Sequence, residues 1–265
     1  MLFRSGTFTN TTIARSTLLL AYPEFGAVNT DVNSGYSWYH GATVVVERRF
    51  AKGFMVAGNY TFSKFMQADE LLNAGDKAPL RVISDQDVPH RFSISSVAEL
   101  PFGKGKALLN SDDPVASRIV SGWQLSGIFG YQVGFPLAWG NMLYYGNPAN
   151  IVKPADQRTV DGWFNTAGFE TASANQLVNN LRTWPLRFSQ IRGRNSNNVD
   201  LALIKNTRIS EGKEIQFRAE ALNAFNHPGF PSPQMGPTSA TFGRITAANQ
   251  AGYPRRLQLS LKYVF

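Results

Sequence analysis

Cysteine is absent from the 265 residues, which excludes disulfides, thiolate metal sites and cysteine nucleophiles and leaves the redox compartment open. Histidine is almost as scarce: His40, His90 and His227 stand far apart and make no metal-ligand spacing. Long apolar runs are missing too. No stretch approaches the ~18 residues of a membrane helix, so any membrane role would fall to strands closed into a barrel. The opening MLFRSGTFTNTTIARSTLLLAYPEF has a short apolar stretch broken by Pro23, with no basic leader and no small-residue cleavage site, and is not expected to be a signal peptide. Charged residues make up only 17% against 43% hydrophobic and 12% aromatic, and with 23 Gly and 14 Pro this describes an ordered, turn-rich chain, neither disordered nor coiled coil. Bases dominate the sparse charge, 26 Lys+Arg against 18 Asp+Glu. They are scattered, and the densest groups (Arg48, Arg49, Lys52; Lys104, Lys106; Arg187, Arg192, Arg194) fall where strands are expected to end, so nucleic acid is not an expected partner.

What the chain has in quantity is period two, which sends alternate side chains to opposite faces of a strand. About seven segments show it. In the last, Leu257, Leu259, Leu261, Tyr263 and Phe265 share one face, and Gln258, Ser260 and Lys262 the other. Ile215, Phe217, Ala219 and Ala221 oppose Gln216, Arg218 and Glu220, and residues 199 to 209 set Leu201 and Leu203 against Asp200, Asn206 and Arg208. Trp123, Leu125, Phe129, Tyr131 and Val133 oppose Gln124, Ser126 and Gln132, while Phe92, Ile94, Ala98 and Leu100 oppose Arg91, Ser93, Ser95 and Glu99. Residues 53 to 65 and 38 to 50 complete the set, with Phe54, Val56, Tyr60 and Phe62 on the former and Val44 and Val46 on the latter.

Shorter joints (51 to 53, 101 to 118, 211 to 213) alternate with longer ones (67 to 88, 137 to 197, 227 to 254), which puts every long connection at the same end of the sheet. Unstructured stretches of that length are uncommon inside compact soluble domains. Short turns at one end, long loops at the other, strands of about ten residues and rings at strand ends (Phe50, Phe62, Phe102, Phe135, Phe225, Tyr263, Phe265) describe an outer-membrane barrel wall. The expected fold is therefore all-β: an antiparallel meander forming a partial transmembrane β-barrel of about seven strands, with short periplasmic turns and long extracellular loops. A soluble antiparallel sandwich also alternates, but its strands run to five or six residues.

No catalytic constellation emerges, and no cofactor or metal site is expected. Serine, histidine and aspartate occur outside any nucleophile-elbow phrase, and Gly103-Lys104-Gly105-Lys106 lacks the spacing of a phosphate-binding loop and reads as a basic turn. Asp112-Asp113-Pro114 reads as an ordinary turn. His90 and Arg91, with Asp85 and Asp87 nearby, read as an ion-pair cluster on the rim, and Asn226-His227-Pro228 as a strand-to-loop exit.

Several phrases go beyond pattern: SWYHGATVVVERRFAKGFMVAGNYTFSKFM (37 to 66), DVPHRFSISSVAELPFGKGK (87 to 106), GWQLSGIFGYQVGFPL (122 to 137), DGWFNTAGFE (161 to 170), IRGRNSNNVDLALIKNTRISEGKEIQFRAEALNAFNHPGF (191 to 230), FGRIT (242 to 246) and the terminal RRLQLSLKYVF. In this order and spacing they resemble the C-terminal barrel wall of Oar-like TonB-dependent receptors, outer-membrane proteins with a carboxypeptidase-regulatory-like domain that abound in Acidobacteria and relatives. The resemblance spans residues 16 to 265. It implies a barrel of about 22 strands around a plug, ligand uptake energised through TonB, and residence in the bacterial outer membrane. Plug, TonB-contacting segment and regulatory-like domain have no counterpart here, so the chain is expected to be the C-terminal piece of a longer gene, with residues 1 to 36 a loop-like N-terminal segment and 37 to 265 barrel. Seven strands do not close an even-numbered barrel, and an open edge in lipid leaves backbone groups unpaired, so such a piece is not expected to insert alone. The alternative is a complete small outer-membrane barrel with a structural or adhesion role, in which residues 11 to 22 supply an eighth strand.

The resemblance also frames the expected partners: outer-membrane lipid, the barrel-assembly machinery, TonB through a plug, and an extracellular ligand. The terminal alternation Leu259, Leu261, Tyr263, Phe265 resembles the signal that the assembly machinery reads on a last strand. Gln124, Gln132, Gln216, Arg218, Glu220 and Lys262 are expected to face the lumen. In the long connection 137 to 197, Trp139, Tyr144, Tyr145, Trp163 and Trp184 are candidate surface ligand contacts, since loops on a rigid scaffold carry recognition.

Overall fold

The structure, a computed structural model, describes residues 11–18, 33–73, 75–110, 112–177, 180–227, 229–246 and 252–265. The chain divides into residues 1–35 and 36–265. In the first unit a four-residue helix, α1 (Arg15–Leu18), occupies part of the stretch in which the small-barrel alternative needs a strand, and residues 19–22 lie outside the described residues. Poor alternation over Thr12 to Leu18 leaves that segment without a strand face to bury.

In the second unit seven long strands follow the period-two segments: β1 (Tyr36–Ala51), β2 (Phe54–Ala68), β4 (His90–Glu99), β5 (Trp123–Gln132), β8 (Ser196–Ser210), β9 (Lys213–Leu222) and β10 (Arg256–Val264). Between them lie, among the described residues, three short strands, β3 (Val82–Ile83), β6 (Pro136–Ala138) and β7 (Arg187–Arg192), one short α-helix, α2 (Pro114–Val120), and three single-turn 3-10 helices in the connection from 137 to 187. The long strands pair antiparallel in the order β1-β2-β4-β5-β8-β9-β10, β3 attaches to the end of β2, and β6 pairs with β7 apart from the main sheet. β1 and β10 do not pair with each other, so among the described residues the wall has two edges.

Turn chemistry sets the short connections. Lys52 and Gly53 both take positive φ (54° and 75°), the two-residue hairpin geometry whose twist matches the flanking strands. Between β8 and β9 only Gly212 takes positive φ (71°), a conformation that glycine adopts without steric cost. The third short connection holds a correction: Asp112-Asp113-Pro114 is the start of α2, not an ordinary turn. The Asp113 carboxylate accepts from the backbone N–H groups of Val115 (2.7 Å) and Ala116 (2.9 Å), and Pro114 occupies the first turn, where its missing N–H costs nothing. The Gly103 to Lys106 segment is a basic turn, with Lys106 bonded to Glu99 at 2.8 Å and Lys104 to Asp112 at 3.2 Å.

Register assigns the faces. Directly opposed residues share a face, and the row Ala98, Leu125, Leu203, Ala219, Leu259 crosses five strands on one side. The adjacent row, Glu99, Gln124, Ile204, Arg218, Ser260, crosses them on the other. The apolar face stays bare: Val44, Val46, Leu125, Leu257, Leu259 and Leu261 are all exposed, and no second sheet covers them among the described residues. A sandwich would bury that face. Buried apolar side chains gather instead in the long connections, chiefly Leu137, Trp139, Met142, Ile151, Phe164, Phe169 and Ile191, with a second cluster at Val82, Ile83 and Leu186.

Candidate functional site

The polar face collects every residue expected to face a lumen. Gln124 and Gln132 of β5, Gln216, Arg218 and Glu220 of β9 and Lys262 of β10 lie on it by register. Its groups bond laterally: Arg91 donates to Gln132 Oε1 (3.1 Å), Gln216 to Asn206 Oδ1 (3.0 Å), and Arg218 pairs with Glu220 (2.5 Å). On the apolar face, Lys205 carries its ammonium away from the leucines to the carbonyl oxygens of Arg118 (2.7 Å) and Ser121, beside the Trp123 ring. A long stem lets the charge reach polar atoms while its methylenes cover apolar surface.

At the other end of the wall the three long connections fold together into a cap. Its fastener is Asp87, 1% exposed, which accepts from the Phe65 N–H (2.6 Å) and pairs with Arg192 (2.6 Å). Arg192 also donates to the carbonyl oxygens of Asp87 (3.0 Å), Gly134 (3.2 Å) and Ser189 (2.7 Å), so its guanidinium is satisfied as a buried charge requires. The rim cluster expected around His90 is therefore rearranged. Arg91 turns to Gln132, His90 Nδ1 meets the Tyr60 hydroxyl at 2.8 Å, and the carboxylate of Asp87 takes an arginine 105 positions away. Sequence proximity carried no sign of that partner. Asn73 adds a second link, its amide accepting from the Arg182 N–H (2.7 Å) and donating to the Arg182 carbonyl (3.1 Å). Arg187 meets Glu70 at 3.3 Å. On the far side Trp163 N–H donates to Gly243 O (2.8 Å), Ile245 N–H to Val160 O (2.7 Å), and Arg244 pairs with Asp161.

The five candidate ligand-contact rings divide within this cap. Trp139 is 3% exposed, stacked on Phe169 with centroids 5.6 Å apart and met edge-on by Trp184 at 5.9 Å. Tyr144 leans on Phe169 (4.6 Å), and Trp163 is half-buried with its indole N–H donated to Arg192 O (2.7 Å). Tyr145 is 69% exposed, its hydroxyl near Glu170 (3.4 Å). Backbone N–H donation from Ala172 and the Asn175 amide hold the Glu170 carboxyl below the usual carboxylate range. In the C-terminal group, Leu259, Leu261 and Tyr263 stand on the apolar face, and Phe265 lies just past the strand end, stacked on Tyr263 at 5.8 Å. Asn223 and Asn226, both at positive φ, turn the chain out of β9, and Pro228 lies outside the described residues. No group of His, Asp and Glu side chains suited to a metal occurs among the described residues.

A single antiparallel wall, apolar and bare on one side, polar on the other, with tight turns at one end and folded loops at the other, defines an outer-membrane barrel protein. The comparison with protein families agrees: an outer membrane beta barrel domain matches residues 5–258, and the chain belongs to that family. It is a protein of the bacterial outer membrane. Neither the curated proteins nor the solved structures contain a match.

Proposed function

We propose that this chain forms an arc of the wall of an Oar-like TonB-dependent receptor and serves ligand uptake across the outer membrane as part of that receptor. The observation that carries the reading is the sheet whose edges, β1 and β10, are unpaired among the described residues, and whose one face gathers Gln124, Gln132, Gln216, Arg218, Glu220 and Lys262. Such an arc closes only with further strands, and its polar face then lines a wide lumen able to hold a plug. The phrases that resemble the receptor group fall on consecutive wall strands in receptor order, which supports this reading over a small adhesion barrel. In it the apolar face meets lipid, the cap faces outward, and the last strand is handed to the barrel-assembly machinery through Leu259, Leu261, Tyr263 and Phe265. No step of chemistry is assigned to the chain.

The test uses outer membranes of the native organism and an antibody to residues 137–177. The expected result is a heat-modifiable protein much larger than 29.3 kDa that is retained by an immobilised periplasmic domain of TonB. A protein of 29.3 kDa that TonB does not retain, and that conducts ions as a narrow pore, would defeat the reading.

A further inference from the structure

The cap's arginines differ in how their charge is met. Arg187, Arg192 and Arg244 each pair with a carboxylate, Glu70, Asp87 and Asp161 respectively. Arg158 and Arg194 form no ion pair among the described residues. Both line the same cleft, of about 430 Å³, between the ends of β5 and β8 and the connection that joins them. Arg158 is held by its Nε, which donates to Lys153 O at 2.8 Å, so its outer nitrogens are left to the cleft. Arg194 stands 4.9 Å over the Phe230 ring, which orders a guanidinium without neutralising it. Thr159, Asn195 and Asn197 add polar groups to the lining, with the Asn195 amide donating to the Tyr131 hydroxyl (2.9 Å), and a neighbouring cleft of about 620 Å³ shares both asparagines and Arg194. Among the described residues no carboxylate lines either cleft. Two ordered guanidinium groups without a carboxylate partner among the described residues, beside the Asn197 amide, suit an anion with several oxygens, and a phosphate fits their fork geometry.

The cleft's position narrows the source of that anion. Its wall-side residues, Tyr131 and Asn197, form the row that ends the apolar face at the cap, next to Phe92 and one row beyond Phe129 and Val199. An anion seated there has a largely apolar surface below it, running from Phe92 and Phe129 through Val199 to Leu201 and Leu203. We propose that this cleft binds the phosphate group of an outer-leaflet lipid, whose acyl chains lie along that surface. Basic pockets at a membrane boundary recognise headgroups in this way. The proposal rests on the reading above that the apolar face meets lipid and the cap faces outward.

The test takes the detergent-extracted native protein, exchanges away bound lipid, and counts adducts by native mass spectrometry with a diacyl phosphomonoester lipid, the matching diacylglycerol, and inorganic phosphate. The expected result is a saturable adduct with the phosphomonoester lipid alone. Its affinity should fall about tenfold in Arg158→Gln and in Arg194→Gln, the loss of one charge-assisted contact each, and further in the double variant. Arg118→Gln, at the opposite end of the wall, should leave it unchanged. Heat-modifiable mobility of each variant reports that the barrel is intact. Lipid adducts that survive the double substitution in an intact barrel overturn this proposal and leave the wall reading standing. Inorganic phosphate bound as tightly as the lipid makes the cleft a free-anion site and likewise overturns it. Extraction of the wild-type protein without detergent removes both readings together.

Discussion

In the wall, Leu257, Leu259 and Leu261 are 71–75% exposed, whereas in the cap Leu137, Trp139 and Ile151 are at most 3% exposed. The same residue types thus have opposite fates within one chain. The cap solves the solvent problem internally, by stacking rings from its connections and satisfying Asp87 and Arg192 against one another and the backbone. The wall solves only the backbone half of that problem, through continuous antiparallel ladders, and leaves its apolar side chains for an external phase to cover. A water-soluble domain buries its sheet and lets its loops vary. Here the loops hold the core, and the sheet depends on its surroundings.

The sharpest way to separate the two regions is Trp139→Ala. Removing a buried indole that touches Phe164, Phe169, Trp184 and Phe188 should cost about 3 to 5 kcal/mol in the cap. Proteolysis should then cut between residues 139 and 187 much faster, while heat-modifiable mobility of the barrel persists. Simultaneous loss of both would show that cap and wall unfold as one unit, and the contrast would break. Nearly as large an effect is expected from Arg192→Ala, about 3 to 5 kcal/mol, because it strands a buried carboxylate. The double variant Asp87→Leu/Arg192→Leu should recover much of that loss in a thermal melt of the cap. Equal melting temperatures for the single and double variants would mean that the pair acts through packing alone.

The wall was legible and the cap was not, for a physical reason. Alternation is a local signal, so Leu257 to Phe265, or Trp123 to Gln132, disclose a strand and its two faces without knowledge of any neighbour. Connection lengths then fixed which ends carry loops, and the seven wall strands and their faces match that reading. The cap is assembled from residues with no period. Trp139, Ile151, Phe164 and Phe169 lie at irregular spacing, and Asp87 finds Arg192 across 105 positions. Nothing local distinguishes Arg192 from Arg194, one buried in an ion pair and the other lining a cleft with no ion pair among the described residues. The helix at Pro114 was within reach, since Asp-Pro followed by Val-Ala is a capping signature.

A smaller effect tests the wall from its own side. Leu259 lies in mid-strand on the apolar face and Ser260 beside it on the polar face. Leu259→Arg should lower stability by about 2 to 4 kcal/mol if its depth is that of the bilayer middle, and less nearer an interface. Ser260→Arg, one position on, should be close to neutral. The difference between them in urea unfolding from lipid vesicles reads the faces directly, and equal costs would mean that β10 is not asymmetrically solvated.

The weakest expected effect is a pH dependence confined to the cap surface at Glu170. Donation from the Ala172 N–H and the Asn175 amide favours its charged form, so its folded pKa lies below the value in the unfolded chain. A depressed carboxylate contributes stability that is fully present above the ordinary carboxylate range and is lost as pH falls through the folded value. Acid should therefore release the 170–176 turn while the wall ladders, which use backbone groups alone, hold. The Ala172 amide resonance should shift along a titration curve centred below the ordinary glutamate value, and Glu170→Gln should abolish that curve while leaving the wall amides unchanged. Because the carboxylate is open to solvent, the associated change in stability is small and belongs to the turn. A matching curve at β4 or β9 amides would show instead that acid acts on the sheet, and would erase the distinction between a cap held by side chains and a wall held by its backbone.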